Sequence, residues 1–366
     1  MKGEPYAEAY RSTIYFRRTD RVLRRVRGKS PSRTISGLLS GSMPPDLRAS
    51  ADSGELSGRA PWSAILSPKG KMVSDVRVSR LENGEAGALL LDLPTAGAEE
   101  ALAHFVRYLP PRLARVEELG EPVGVITVVG PGAAALLSGE DALPGAAVSN
   151  LAALAEGDER VVSDASETGV RVIRTARAIS PSFDVIASAP ALARLEETLN
   201  RQGIARGTEQ LGEVLRVERG LPAFGAELDA DTIPLEVGGE SRYIDHGKGC
   251  YTGQEVIVRI RDRGHVNRLL RGVFLGDAPL PAAGTPLVLP GEPRTVGEIR
   301  SAVWSPGFEQ GIALAFVRRE IEPPATLALA SADGPPAAVR DLTADGWRLV
   351  PGDPSLHPSP PARPAT

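Results

Sequence analysis

The final third of this chain is cut into short pieces, and nothing else in the sequence limits its fold so sharply. After Gly272 the β-prone runs are Val273–Leu275, Pro286–Leu289, Val296–Trp304, Gly311–Val317, Thr326–Ala330 and Ala337–Leu342, with proline or glycine at nearly every break. Short apolar runs separated by turn formers pair as antiparallel neighbours, so this stretch predicts a small antiparallel β-barrel. Six prolines in the sixteen residues from Pro351 read as a disordered tail, residues 351–366.

Upstream the pattern changes to strands with helices between them. Ser63–Ser67 and Met72–Leu81 flank the turn Pro68-Lys69-Gly70-Lys71, and Ala88–Leu93 is a third strand ended by Pro94. Ala98–Tyr108 then carries Ala101, Leu102, Phe105 and Val106 at helical spacing, stopped by Pro110-Pro111. Farther on, Val123–Val129, Arg160–Ser163, Val170–Thr175 and Phe183–Ala187 read as strands, and Pro190 opens a helix bearing Leu192, Leu195 and Leu199. The strand–proline–helix corner of Leu89–Pro94 thus recurs at Val185–Pro190, which predicts two related α+β units. A chain of 366 residues exceeds one usual core, in keeping with several units.

Two glycine-rich stretches imitate nucleotide sites. Gly28-Lys29-Ser30 has the tail of a phosphate loop, but Leu23 stands where its first glycine belongs. Gly130-Pro131-Gly132-Ala133-Ala134-Ala135 nearly fits a dinucleotide fingerprint. The acidic residues about twenty positions on, Glu156 and Asp158, follow the alanine-rich 147–155 stretch, which does not read as a strand. These glycines are assigned to a tight strand-to-helix turn.

Composition excludes several classes. A net charge of −4 argues against general nucleic-acid binding, although residues 1–37 are locally basic through Arg17, Arg18, Arg21, Arg24, Arg25 and Arg27. A nucleic-acid arm and a solvated surface with a strand at Thr13–Phe16 both fit that segment. One cysteine rules out an internal disulfide framework, a zinc-finger-type site and a cluster held on four cysteines of this chain. The four histidines show no ligand spacing, so no metal site is expected. No apolar run approaches the roughly 18 residues of a membrane span, and no signal peptide is evident. A cytoplasmic protein with no membrane partner is the expectation.

That one cysteine lies in Asp245-His246-Gly247-Lys248-Gly249-Cys250-Tyr251-Thr252-Gly253-Gln254-Glu255. Thr252-x-x-Glu255 has the form of a capping box and predicts a helix from that point. Cys250 then falls just outside a helix N-terminus, two residues from Lys248, where unpaired amides and positive charge favour a thiolate. A reactive thiol and a small residue in a glycine-rich turn are both consistent with the local sequence. Beyond it, Arg259, Arg261, Arg263, Arg268 and Arg271 form a basic stretch that suits an anionic ligand or partner, or simply a solvated face.

Glu218 is the other unusual position. Thr208 caps a helix over Glu209–Arg219 that Gly220 ends, with Leu211, Val214 and Leu215 as its apolar stripe. Glu218 continues that stripe and sits in the last turn, where the helix dipole disfavours a carboxylate. It requires donors from an arginine or a ligand, or else must swing into solvent.

Arg216-Val217-Glu218-Arg219-Gly220-Leu221-Pro222-Ala223-Phe224-Gly225-Ala226-Glu227, followed by Lys248-Gly249-Cys250-Tyr251-Thr252-Gly253-Gln254-Glu255, resembles the folate-binding YgfZ family, relatives of the glycine-cleavage T-protein (aminomethyltransferase). Ser67–Lys71, Val296–Ser301 and Ala313–Val317 are similar to further segments of that family; residues 1–10 and the tail are not covered. The resemblance implies an α+β fold, a three-domain ring of two related α+β domains and a C-terminal antiparallel β-barrel around a tetrahydrofolate pocket. The corresponding division is 1–55 with 122–260, then 56–121, then 261–350. It implies Cys250, Lys248 and Tyr251 as the working residues, and Glu218, Gly249, Gly253 and Gln254 as folate contacts, Glu218 holding the pterin ring. It further implies a monomer that serves assembly or repair of iron–sulfur clusters in client enzymes, tRNA-modifying radical enzymes among them, without touching nucleic acid itself. The alternative is a folate-dependent aminomethyltransferase of the glycine-cleavage type. Two departures stand out. Pro44-Pro45-Asp46 replaces the family's usual threonine–x–aspartate loop end, and only Glu99 or Glu100 lies near the place where true aminomethyltransferases use an aspartate.

Overall fold

The computed structural model describes residues 5–50, 54–139, 143, 148–343 and 346–347. The expected disordered tail lies outside them. The fold is α+β, with two open sheets and one closed barrel.

The larger sheet has eight strands in the order Ala205–Arg206, Ile14–Arg18, Val123–Val129, Ser182–Ser188, Val170–Thr175, Asp158–Val162, Leu56–Arg59, Arg48–Ala49. All neighbours are antiparallel except the first pair. The smaller sheet is wholly antiparallel, in the order Trp62–Leu66, Met72–Arg80, Leu89–Pro94, Arg21–Arg27, Arg115–Glu117. Residues 1–55, expected within the first unit, are divided between the two sheets by hydrogen bonding. Ile14–Arg18 joins the larger sheet, while Arg21–Arg27 pairs with Leu89–Pro94 in the smaller one.

Each sheet ends a strand in the corner anticipated from sequence and covers its outer face with the helix that follows. Ala189–Arg201 buries Ala191, Leu192, Leu195 and Leu199 against Ile126, Val128 and Val185. Thr95–Tyr108 buries Ala98, Ala101 and Phe105 against Val76, Val78 and Leu91. Val106, assigned to the same stripe, is instead 82% exposed. It lies one residue, about 100° of helical rotation, beyond Phe105 and falls off the edge of the buried face.

The inner faces of the sheets meet through Leu23 and Leu90 on one side and Val125, Ile173 and Ile186 on the other. A charged joint crosses the same interface. Arg77, on the smaller sheet and 2% exposed, reaches Asp92 of its own sheet at 2.7 Å and Asp184 of the other at 2.8 Å. Arg21 donates to Asp92 at 2.6 Å, and the Thr127 hydroxyl donates to Asp184 at 2.6 Å.

The barrel closes in the order Arg268–Gly276, Gln310–Arg318, Thr295–Ser305, Pro286–Val288, Ala325–Leu329, Pro336–Arg340, as the proline and glycine breaks predicted. Gln310–Arg318 shows how it attaches. Ala313, Ala315 and Val317 fill the barrel, while the alternate residues Ile312, Leu314 and Phe316 pack with Leu211, Val214 and Leu215 of the helix Glu209–Glu218. Thr208 caps that helix, its hydroxyl accepting from the Leu211 amide at 3.2 Å.

Replacing Arg77 by methionine leaves two buried carboxylates short of a partner. Urea unfolding is expected to show a loss of about 3–5 kcal/mol, the cost of breaking a buried pair from one side. A loss below about 1 kcal/mol, the range of an exposed pair, would show that the sheets are not joined there.

Candidate functional site

The loop 245–253 is fastened to the segment 36–42. Lys248 Nζ donates to the carbonyls of Ser36 at 3.0 Å, Leu39 at 2.7 Å and Gly41 at 2.8 Å. The Thr252 amide donates to the Gly37 carbonyl at 3.0 Å, the Asp245 amide to the Ser40 carbonyl at 2.9 Å, and the Ser42 hydroxyl to Asp245 at 2.8 Å. Burial pushes the Lys248 ammonium down from 10.5 to about 8, against the opposing pull of Asp245.

The capping box does not form. The helix runs Gln254–Arg263 with Gly253 as its N-cap at φ +83°, and the Thr252 hydroxyl lies 3.4 Å from the Gly37 carbonyl instead. Packing forces this choice. A Cβ on Gly253 would lie 2.6 Å from the Ser67 carbonyl, so the turn at 67–71 presses against the helix start where only glycine fits. Cys250 is therefore three residues outside the cap, and it is exposed. Tyr251 turns the other way, 7% exposed, into a cluster with Leu66, Met72, Tyr243 and Ile257. Gly249 stands in open space, and Gln254 occupies the first helical position. None of residues 248–254 lines a described cavity; the loop reaches one only through Ile244 and Asp245.

That cavity, of about 700 Å³, is walled by Ser42, Pro45, Trp62, Arg242, Tyr243 and Asp245 among others. The altered Pro44-Pro45 loop thus forms part of it, held by Arg80, which donates to the Pro44 carbonyl at 2.8 Å. A second cavity of about 580 Å³ is bordered by Arg18, Asp20, Arg177, Arg206 and Arg216. Between them lies a passage of about 90 Å³ that shares Trp62, Arg242 and Tyr243 with the first, and Arg18, Arg177 and Arg216 with the second. The guanidinium carbons of Arg242, Arg77 and Arg21 lie 4.8, 5.4 and 5.5 Å from the Trp62 ring centre. Desolvation, with Arg18 nearby, lowers Arg177 to about 9. The two larger spaces have the size of small-molecule sites. Among the described residues no group of three or more His, Cys, Asp or Glu is placed to hold a metal, and no helix is long and apolar enough to cross a membrane.

Glu218 differs from expectation. Its carboxylate accepts hydrogen bonds from the hydroxyls of Tyr6 at 2.8 Å, Tyr10 and Ser305, is 0% exposed, and lines none of the three spaces. Burial raises its pKa, and those hydroxyls oppose the rise. The donors it required come from inside the chain, so the folate contact assigned to it is not what this geometry supports. Two of them lie on the helix Tyr6–Arg11, a segment whose placement nothing in the sequence announced.

Residues 50–242 match the GCVT N-terminal domain. This chain belongs to that family. It is 30% identical over 269 residues to the aminomethyltransferase of Rubrobacter xylanophilus, covering 72% of this chain and 68% of that one. It is 27% identical over 266 residues to the aminomethyltransferase of Synechococcus elongatus, covering 72% and 68%. The glycine cleavage system aminomethyltransferase T from Bartonella henselae has the same fold, with a TM-score of 0.75 at 17% identity over 93% of this chain and 89% of that one. Within the GCVT frame the Gly130 stretch is structural, because a Cβ on Gly130 would lie 2.4 Å from the Ser12 carbonyl.

Sequence reasoning missed Asp75. It is 6% exposed, faces the passage, and its Oδ1 has no hydrogen-bond partner among the described residues. The available signal was a carboxylate within the otherwise buried strand Met72–Arg80.

The clamp makes a testable claim about pH. Between about pH 8 and the ordinary lysine value of 10.5 the unfolded chain holds a proton that folded Lys248 lacks, so wild-type stability rises with pH across that window relative to Lys248→Met. Urea unfolding of both proteins at the two ends of the window checks this; parallel pH profiles would show that the lysine is not held in this buried geometry.

Proposed function

We propose that this GCVT-family chain binds tetrahydrofolate in its central space and supports assembly or repair of iron–sulfur clusters in client proteins through the outward-facing thiol of Cys250. The observation that carries the reading is the direction of the Lys248–Glu255 loop. Its base borders the large cavity through Asp245, while its thiol is exposed on a turn that Lys248 holds in place. An accessible, positioned thiol suits exchange with the iron, sulfur or thiol of another protein. The Lys248-Gly249-Cys250-Tyr251-Thr252-Gly253-Gln254-Glu255 motif, which resembles the YgfZ branch, supports the same reading. The cluster is cargo here, not a group held by this chain.

The folate part rests on family and on fit. Relatives named aminomethyltransferase belong to a group that uses tetrahydrofolate, and the large cavity offers the aromatic walls and polar groups that a folate requires, from Trp62, Tyr243, Arg242 and Asp245. Bound there, tetrahydrofolate supplies ring nitrogens able to carry a one-carbon unit. The protein is proposed to act as a cytoplasmic monomer that meets its clients through the loop. Of the basic stretch, Arg259, Arg261 and Arg263 remain exposed beside it, whereas Arg268 pairs with Glu236 and Arg271 with Asp341.

A second reading, aminomethyl transfer, is favoured by the names of those relatives. Against it, Glu99 and Glu100 are exposed on the first turns of Thr95–Tyr108 and line none of the three spaces. The two readings separate in a host lacking its own such factor. Wild type is expected to restore cluster-dependent tRNA modification and Cys250→Ala is not. Full restoration by Cys250→Ala would remove the thiol role, and turnover of an aminomethyl-lipoyl carrier by purified protein would establish the second reading.

A further inference from the structure

The wall of the large cavity includes a stretch with no regular structure of its own. Residues 42–47 form neither helix nor strand, and Pro44 and Pro45 have no amide hydrogen to give to a ladder. Yet Gly41, Ser42, Met43 and Pro45 line the space of about 700 Å³. Other parts of the chain hold them there.

One end is fastened beside the thiol loop. The Gly41 amide donates to Ser63 Oγ at 2.8 Å, the Gly41 carbonyl accepts from Lys248, and the Ser42 hydroxyl donates to Asp245. The other end is fastened by the turn that follows Met72–Arg80. Arg80 donates to the Pro44 carbonyl at 2.8 Å, and the Gly84 amide donates to Asp46 at 3.2 Å. Asn83 meets a single residue twice. Its Oδ1 accepts from the Leu47 amide at 2.7 Å, and its Nδ2 donates to the Leu47 carbonyl at 2.8 Å. This is the reciprocal pairing of two antiparallel strands, with a side-chain amide in place of one backbone. It sets the direction of the chain at Leu47, whose side chain is 7% exposed and rests on Gly58 of the larger sheet. A Cβ on Gly58 would lie 2.5 Å from Leu47 Cδ2, so the seat requires glycine. Asn83 itself is exposed and lines none of the three spaces. It reaches the cavity only through the backbone it holds.

We propose that Asn83 is a positioning residue for the ligand of the large cavity. By locking Leu47 it keeps 41–47 in place as a wall before binding, so the ligand meets a preformed space and orders no lid. The identity of that ligand rests on the tetrahydrofolate reading above, whereas the clasp at Leu47 stands apart from it. A clasp with a merely structural role would change stability and leave affinity alone.

Three measurements on the full chain compare wild type with Asn83→Ala and Asn83→Asp: thermal unfolding, calorimetric titration with tetrahydrofolate, and the rate of trypsin cleavage after Arg48 without ligand, followed by mass spectrometry. Cleavage next to the clasp requires local opening of the segment. At a temperature where all three proteins are folded, Asn83→Ala is expected to be cut about three- to tenfold faster and to bind tetrahydrofolate weaker by a similar factor, the loss of ordinary hydrogen bonds. Asn83→Asp keeps the acceptor and loses the donor, so it falls between. Cleavage of Asn83→Ala at the wild-type rate would overturn the clasp. Faster cleavage with unchanged tetrahydrofolate affinity would overturn the positioning role and leave folate binding standing. Absence of tetrahydrofolate binding to wild type would overturn the folate reading and the positioning role with it.

Discussion

One guanidinium ties the two sheets together. Arg77 spans from Asp92 on its own sheet to Asp184 on the other, and Arg21 and Thr127 complete the bonding of those carboxylates. A buried charge of this kind tolerates little movement, because each partner lost leaves an ion without compensation. The passage runs beside this joint, with Asp92 and Asp184 on its wall, and Asp75 two residues before Arg77 on the same strand. The inter-sheet joint therefore fixes the position of Asp75, a buried carboxylate whose Oδ1 has no hydrogen-bond partner among the described residues.

The loop that carries the thiol depends on a different kind of contact. Lys248 gives its three donors to the carbonyls of Ser36, Leu39 and Gly41, so two segments more than two hundred residues apart form one rigid wall. That wall separates two environments. Ile244 and Asp245 face the large cavity, whereas Cys250 faces solvent. The cavity lining and the exposed thiol thus belong to neighbouring parts of a single short segment, as the proposed function requires of a chain that holds a small molecule and presents a thiol to another protein.

How much of this was legible in the sequence varied with the physics involved. The barrel was readable because its strands alternate and its breaks carry proline and glycine, both local signals. The recurring strand–proline–helix corners announced the two α+β units for the same reason. Sheet membership within residues 1–55 was not legible, because two strands separated by Thr19 and Asp20 enter different sheets, and only long-range pairing decides that. The capping box at Thr252 lost to the packing of Gly253 against Ser67, a contact across 186 residues that no local pattern encodes. Glu218 was correctly singled out as a carboxylate in need of donors. Two of its three donors, Tyr6 and Tyr10, belong to a helix of six residues with no evident link to it, and the third, Ser305, lies in the barrel. Asp75 escaped notice because an aspartate in a strand is unremarkable until its burial and the missing partner of its Oδ1 are seen.

The central claim is that the thiol and the folate lie on opposite sides of the loop. The most direct measurement is the rate at which a soluble disulfide reagent labels Cys250 in the intact protein, with and without saturating tetrahydrofolate. Rapid labelling at a rate that the ligand leaves unchanged is the predicted result. Protection of Cys250 by tetrahydrofolate would contradict the account and return the thiol to the wall of the pocket.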